Sequence, residues 1–372
     1  MSQRENVNPR REQDHGKNSR RYQKRAAARR RRNTIFIMEI VLLLILAVVL
    51  FFVSKLSKIE KTKLDMDKIE VNEDISQESQ KIMKGYQTIA MFGLDNRSNG
   101  NLSQGRSDVI MLANINNDTK EVKLVSVYRD TYLDTGDGIF QKCNAAYAKG
   151  GPEQAISMLN VNLDLNITDY VTVDFNSIIE CVDLLGGVDM EITDDEASLM
   201  TGYIRELNEL TGNKAENLTQ GGTYTLNGVQ ACAYARIRYG GGDDYRRTER
   251  QRTVLTAMVK KAQQSDLTTV NKLINEVCGD IQTSFSNAEL LALASQVFQY
   301  SIGDTTGFPF TKTTKVLSKK TGDVVIPCDL SDNVKELHIF LYEDSAYTVS
   351  DTVKQNSEKI VSDTGFKSGD GH

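Results

Sequence analysis

Nineteen consecutive residues, Ile35 to Val53 (IFIMEIVLLLILAVVLFFV), contain a single charge, Glu39. A run of that length and apolarity is what a membrane-crossing helix requires, so it divides the chain before any other feature is weighed. Glu39 stands near one end, where its side chain can snorkel to the interface. Residues 1–32 hold twelve Lys/Arg against three Asp/Glu, and Arg29 to Arg32 abut the apolar run; the rest of the chain carries a net −14, against −5 overall. The positive-inside rule then puts the basic arm in the cytoplasm and the remainder outside. The long basic arm, the length of the run and the lack of a small-x-small site after it argue for an uncleaved anchor. The adjoining span accounts for the arm's charge, so no nucleic-acid partner is expected. The expected organisation is a disordered basic cytoplasmic arm (1–33), a transmembrane helix (34–54), a stalk or linker (55–85), an extracytoplasmic domain (86–348) and a polar tail (349–372) that frays. The protein is thus expected in the cell membrane as a single-pass chain.

From Tyr86 onward the pattern changes to short apolar strands. YQTIAMFGLD, VIMLANI and EVKLVSV are separated by Gly- and Asn-rich turns. Pro152 and Glu153 signal a helix start, with Ala155, Ile156, Leu159 and Leu163 on one face. A strand follows at Tyr170–Phe175, then a helix closed by Gly186 and Gly187 and another strand. Strands alternating with helices predict an α/β fold, a central mixed β-sheet flanked by helices. Thr193 to Gly222 reads as a polar insertion over the site, and Asn227 as the cap of an Ala-rich helix ending near Ala235. Farther on, helices are expected over 267–278, 288–300 and 334–342, with strands at 315–318 and 324–327.

Arginine is distributed unlike lysine. Six of the nineteen residues in YARIRYGGGDDYRRTERQR (234–252) are arginine, and between the basic arm and this stretch there are four, Arg97, Arg106, Arg129 and Arg205. A planar guanidinium grips phosphate or carboxylate bidentately, which a lysine cannot do. Grouping such charges away from water is costly without an anion. Three strand ends also deliver Arg/Asp pairs: Asp95 with Arg97, Arg106 with Asp108, and Arg129 with Asp130. Histidine is absent between Ser54 and Leu337, which leaves a Ser-His-Asp or histidine-metal site unsupported. The cysteines Cys143, Cys181, Cys232, Cys278 and Cys328 have neither zinc-site nor disulfide spacing and read as small apolar residues.

GLDNR (93–97), GRSDVIMLA (105–113), RDTYLD (129–134), AYAKGGPE (146–153), DYVTVDF (169–175), LLGGVDMEI (184–192) and the arginine stretch together resemble the LytR-CpsA-Psr family. The likeness covers about residues 86–255 in order, departing from the family pattern at Tyr128 and Ala145. It implies a membrane-anchored glycopolymer–peptidoglycan phosphotransferase of the cell envelope, attaching teichoic acid or capsule polymer. The donor would be a polyprenyl-pyrophosphate-linked glycopolymer and the acceptor peptidoglycan. By the same likeness Asp95 and Asp108 match magnesium-associated aspartates. Arg97, Arg106, Arg129, Arg236, Arg238, Arg247 and Arg250 match arginines that hold the pyrophosphate. Asp130 would position the catalytic group that includes Arg129, Arg236 and Arg238.

The chemistry is consistent with that likeness. Phosphoryl transfer needs charge stabilisation and alignment more than covalent help. Mg2+ takes one or two carboxylates and completes its shell with phosphate oxygens and water. A polyprenyl leaving group needs an apolar tunnel, for which Ile110, Leu112, Val171 and Phe175 are the expected lining. What activates the acceptor hydroxyl stays open: Asp95, Asp108 or Asp130 as base, or the metal alone. A lipid-pyrophosphate hydrolase and a non-catalytic anionic-polymer-binding or regulatory envelope protein are the alternative readings.

Overall fold

Apolar alternation builds the sheet, and the sheet builds the site. The computed structural model describes residues 60–61, 64–94, 102, 105–238, 244–266, 269, 272–273 and 281–371. The basic arm, the apolar run Ile35–Val53, most of the helix expected over 267–278, and the site candidates Asp95 and Arg97 lie outside the described residues. No described helix is long and apolar enough to cross a membrane.

Strand β1 (Glu60–Lys61) and helix α1 (Gln77–Met83) lead into an antiparallel meander of β2 (Tyr86–Leu94), β3 (Ser107–Asn116) and β4 (Glu121–Val127). A small hairpin, β5 (Tyr132–Asp134) and β6 (Phe140–Lys142), comes before helix α2 (Ala145–Leu163), strand β7 (Asp169–Asp174) and helix α3 (Phe175–Leu184). Helix α4 (Asp194–Thr211) stands between the paired strands β8 (Val188–Ile192) and β9 (Gly222–Leu226). Helices α5 (Gly228–Arg236) and α6 (Asp244–Gln264) follow, then β10 (Ile281–Thr283), α7 (Asn287–Ser295) and β11 (Ser301–Phe308). The hairpin β12 (Lys312–Ser318) and β13 (Gly322–Pro327) precedes helices α8 (Leu330–Tyr342) and α9 (Asp351–Thr364). The main sheet runs β1-β10-β7-β2-β3-β4-β11, with β7 parallel to β2 and β11 parallel to β4. It is a mixed sheet covered by helices, as expected.

Because both faces are covered, strand parity decides which core each residue enters. Phe92, Ile110, Leu112 and Val125 point to one face, packed with α2 and α8 residues such as Ile156, Leu159 and Leu337. Ile89, Met111, Ala113 and Leu124 point to the other, where Leu255 of α6 covers them. The register pairs Met91 with both Met111 and Val171, so Val171 shares a row with Met111 and not with Ile110. Ile110 and Leu112 are therefore core residues on the face opposite Val171, which corrects their placement as tunnel lining.

The segments at either end of the domain also differ from expectation. Residues 64–83 do not form a separate stalk: Ile69, Ile75 and Met83 join the main core. The polar tail contains α9, whose Val353 and Ile360 are fully buried against it. Asp164, the left-handed C-cap of α2, joins the two: Asn72 Nδ2 donates to its carboxylate at 2.5 Å, the Ser350 backbone N–H at 2.8 Å, and the Tyr347 hydroxyl donates as well. Two buried polar groups outweigh the hydrophilic composition here, because a buried carboxylate must be hydrogen-bonded. The expected insertion at 193–222 is a regular helix, α4, started by a Thr193–Glu196 capping box.

His338 lies in this region, stacked on Tyr347 at 3.6 Å and hydrogen-bonded to the Leu163 carbonyl. Burial pushes its pKa down to about 4. Its native form is neutral, so stability is unaffected above the unfolded value near 6.5 and falls as the pH drops from there toward 4. The loss attributable to this group reaches about 3 kcal/mol at the acid end, at ~1.4 kcal/mol per pKa unit. Urea melts at pH 7 and pH 4 should show a smaller acid loss in His338→Gln than in the wild type; equal losses would refute the assignment.

Candidate active site

The meander brings three chain ends to one edge of the sheet. The end of β2, the start of β3 and the end of β4 are neighbours there, so Asp108 and Arg129 meet although they lie far apart in sequence. Tyr245 in the first turn of α6 packs edge-on to Tyr128 at 4.6 Å, which seats that helix over the same edge. Helix α5 arrives from the side. Its first residue, Gly228, lies against the Ile179 carbonyl, where any Cβ would collide. Asn227 caps it through a capping box, as expected, and its last residue is Arg236.

These elements enclose a polar pocket of about 290 Å3 lined by Asp108, Arg129, Phe175, Tyr203, Arg236, Arg238, Arg247 and Gln251. Arg129 Nη1 donates to Asp108 Oδ1 at 2.6 Å, and its Nε lies 3.7 Å from Asp130 and 3.8 Å from Asp244. Arg247 Nη2 pairs with Asp244 at 2.6 Å and contacts the Asp108 carbonyl at 3.3 Å. Arg238 Nη2 reaches the same Asp244 oxygen at 3.8 Å. Arg236 pairs with Glu206 at 3.2 Å and stands over the rings of Phe175 and Tyr203.

Burial works against the charge on Arg129, but Asp108, Asp130 and Asp244 outweigh it and hold its pKa above the ordinary value. Burial pushes the Asp244 carboxyl up to about 6, with Asp130 and Asp108 adding to the push and Arg129 and Arg238 opposing it. Asp244 Oδ2, Arg129 Nε, Arg247 Nε and Gln251 Oε1 are buried without a hydrogen-bond partner. A cluster left partly unsatisfied is expensive to the fold, and such groups are found where function requires them.

Asp108, Arg129, Arg236, Arg238 and Arg247 come together in this pocket. Arg106 is exposed and does not line it. Asp130 stands behind Arg129, held by Lys142 at 3.0 Å, and so touches the pocket only through Arg129. Arg250 is also displaced from its expected role: its Nε pairs with Glu196 at 3.0 Å and its Nη1 donates to the Ile237 carbonyl. It fastens the turn that carries Arg236 and Arg238. Arg250→Ala should lower stability by about 2 kcal/mol, since the buried Arg250 loses its charged hydrogen bond to the half-buried Glu196 and its contact with the Ile237 carbonyl. A denaturant melt unchanged from wild type would return Arg250 to the list of ligand contacts.

Asp244, Gln251 and Tyr203 are members that the sequence reading did not single out. Asp244 gathers three arginines at the start of α6, and Gln251 lies one turn beyond Arg247 on the same helix face. The spacing of Arg247 and Gln251 was the available signal for the second. Cys143 and Cys328 are buried, and burial pushes both thiols up, away from the thiolate that a nucleophile needs.

Beside the polar pocket is an apolar cavity of about 120 Å3, lined by Met91, Val109, Met111, Val171, Val173 and Phe175 with Val254 and Met258 of α6. Of the four residues expected to line a lipid tunnel, Val171 and Phe175 border this cavity. Phe175 and Gln251 border both spaces.

The sequence profile of the LytR_cpsA_psr family matches residues 46–315. A relative from Enterococcus faecalis, polyisoprenyl-teichoic acid–peptidoglycan teichoic acid transferase TagU, is 30% identical over 210 residues, covering 56% of this chain and 64% of its own. Biofilm regulatory protein A of Streptococcus mutans is 31% identical over 208 residues, covering 53% of this chain and 49% of its own. The chain thus spans between half and two-thirds of the length of these relatives. Among solved structures, the LytR-CPS2A-psr family protein YwtF (TagT) with bound octaprenyl pyrophosphate lipid superposes with a TM-score of 0.54 at 21% identity, over 75% of this chain and 99% of that one. That likeness shares the fold. With the profile spanning the sheet, the arginine pocket and the apolar cavity beside it, the chain belongs to the LytR-CpsA-Psr family.

Proposed function

We propose that this protein is a membrane-anchored phosphotransferase that moves a glycopolymer phosphate from a polyprenyl-pyrophosphate carrier to peptidoglycan. The observation that carries the reading is the shared wall of Phe175 and Gln251 between an arginine pocket and an apolar cavity. A lipid-linked pyrophosphate has that same division, a dianionic head joined directly to a hydrocarbon tail. Arg129, Arg238 and Arg247 would take the pyrophosphate, and the prenyl chain would enter between Met111, Val171 and α6. The TagU relative is named for this transfer, and the TagT neighbour carries a lipid of this class.

In the reaction, an acceptor sugar hydroxyl attacks the phosphorus on the glycopolymer side. The new P–O bond forms, the hydroxyl gives up its proton, the bridging P–O bond breaks, and prenyl phosphate leaves. Negative charge grows on the leaving oxygen, which the guanidinium groups of Arg129, Arg236 and Arg238 would stabilise. Asp130 and Lys142 keep Arg129 oriented.

Asp108, with Asp95, would hold Mg2+, which neutralises phosphate charge when bound. Asp108 lines the pocket, and one carboxylate beside a bound phosphate is the kind of donor Mg2+ takes. Ile35–Val53 would anchor the chain in the cell membrane with the basic arm inside and the site outside.

The test uses the full chain in nanodiscs with a prenyl-pyrophosphate oligosaccharide labelled in the sugar, Mg2+ and a peptidoglycan oligomer. Label in peptidoglycan supports transfer. Label released as free phosphorylated sugar indicates a hydrolase, and label left on the lipid indicates a binding or regulatory protein.

A further inference from the structure

Helix α6 carries a second cationic surface that the arginine pocket does not use. On the side of α6 turned toward β11, Arg252, Thr253, Thr256 and Lys260 border a groove of about 540 Å3, with Gly303 and Thr305 of β11 opposite. Arg252 is only 8% exposed, and its Nε and Nη1 are buried without a hydrogen-bond partner. Among the described residues three arginines are buried. Arg247 pairs with Asp244 and Arg250 with Glu196, whereas Arg252 makes no ion pair. Burial pushes its pKa below the ordinary arginine value, with Tyr128 and Glu249 opposing. A guanidinium withdrawn from water without a counter-ion is a net cost to the fold, so its retention points to a ligand anion.

The groove is long, and its charges are spaced. Lys260 lies about 12 Å beyond Arg252 along the helix axis, at ~1.5 Å per residue. Lys261 pairs with Asp189 at 3.5 Å, the one carboxylate lining the groove, so among the described residues neither Arg252 nor Lys260 has an ion pair of its own, Glu249 and Asp189 acting on them only at longer range. Separated cations with threonine hydroxyls between them match a chain bearing repeated anions and not one small ion. We propose that this groove binds the phosphodiester-bearing chain of a glycopolymer, Arg252 taking one phosphate and Lys260 another. The proposal rests on the donor reading above and extends it from the pyrophosphate to the polymer itself.

Soluble polyol-phosphate oligomers without a prenyl pyrophosphate, titrated by calorimetry into the full chain in nanodiscs, test it. The double variant Arg252→Gln/Lys260→Gln should weaken binding by about tenfold or more, while Arg129→Ala leaves it unchanged. Inorganic phosphate should bind far more weakly than the oligomer. Oligomer binding lost in Arg129→Ala but kept in the double variant would place it in the arginine pocket and overturn the proposal, as would inorganic phosphate binding as tightly as the oligomer. Arg252→Met supplies an independent reading: without ligand its Tm should rise, because an unpaired desolvated charge is removed. A clear fall in Tm would mark Arg252 as a structural residue and overturn its assignment. None of these measurements reads transfer, so an inactive wild type would count against the donor reading and not against the groove.

Discussion

Arg129→Ala should lower kcat by about a thousandfold while the protein stays folded, the scale expected when one preorganised donor to developing charge is removed. Arg129 is the hub of the pocket, touching Asp108, Asp130 and Asp244 at once. Its removal would deprive a bound pyrophosphate of a fork and also frees Asp108 from its 2.6 Å partner. Arg129→Lys should recover little of the loss. An ammonium keeps the charge but cannot span Asp108 and a phosphate with one planar group. Arg238→Ala is expected to follow Arg129→Ala in direction, since it too borders the pocket, yet with a smaller cost to the fold because its side chain is more exposed. Single-turnover rates and thermal melts on the same samples separate the two effects. If kcat for Arg129→Ala stayed within about threefold of wild type, transition-state stabilisation by this arginine would be disproved.

The candidate site was legible because arginine is used so unevenly. Guanidinium groups that are rare elsewhere in the outer domain, placed beside aspartates at strand ends, point to an anion pocket before any fold is known. Exact membership was harder. Arg250 shares a helix face with Arg247, and only the arrival of α4 with Glu196 turns it from ligand contact to structural clamp. Nothing local sets Asp244 apart from its neighbours in sequence, and tertiary packing makes it the common partner of Arg129, Arg238 and Arg247.

The α/β class and most helices could be read from periodicity, but the faces of the sheet could not. A strand with one wet face announces its parity through polar residues. VIMLANI has apolar residues at both parities because helices cover both sides. Nothing local therefore separates Ile110 from Met111. β11 was missed for a related reason. Ser301–Phe308 is polar and Gly-containing, and its strand identity comes from pairing with β4. At the C-terminus, α9 buries Asn356, Ser357 and Thr364 along with Val353 and Ile360, so its buried stripe is half polar and composition hides it.

That parity has a functional consequence that mutation can read. Val109→Phe should raise KM for a long-chain prenyl-pyrophosphate donor by about a hundredfold and leave a short-chain donor nearly unaffected. A phenyl ring projecting from Val109 fills much of the 120 Å3 cavity. Excluding roughly four methylene groups from it, at ~0.8 kcal/mol each, forfeits about 3 kcal/mol of tail binding. Because the arginine pocket is untouched, kcat with the short-chain donor should hold. Ile110→Ala is the mirror experiment. One residue along the strand it faces the main core at 2% exposure, so it should lower stability by about 2–4 kcal/mol and leave chain-length preference alone. Should Ile110→Ala instead change the preference for long chains, or Val109→Phe raise KM equally for both donors, the tail does not lie between β3 and α6. The division of one site into a charged half and an apolar half by Phe175 and Gln251 would then need another explanation.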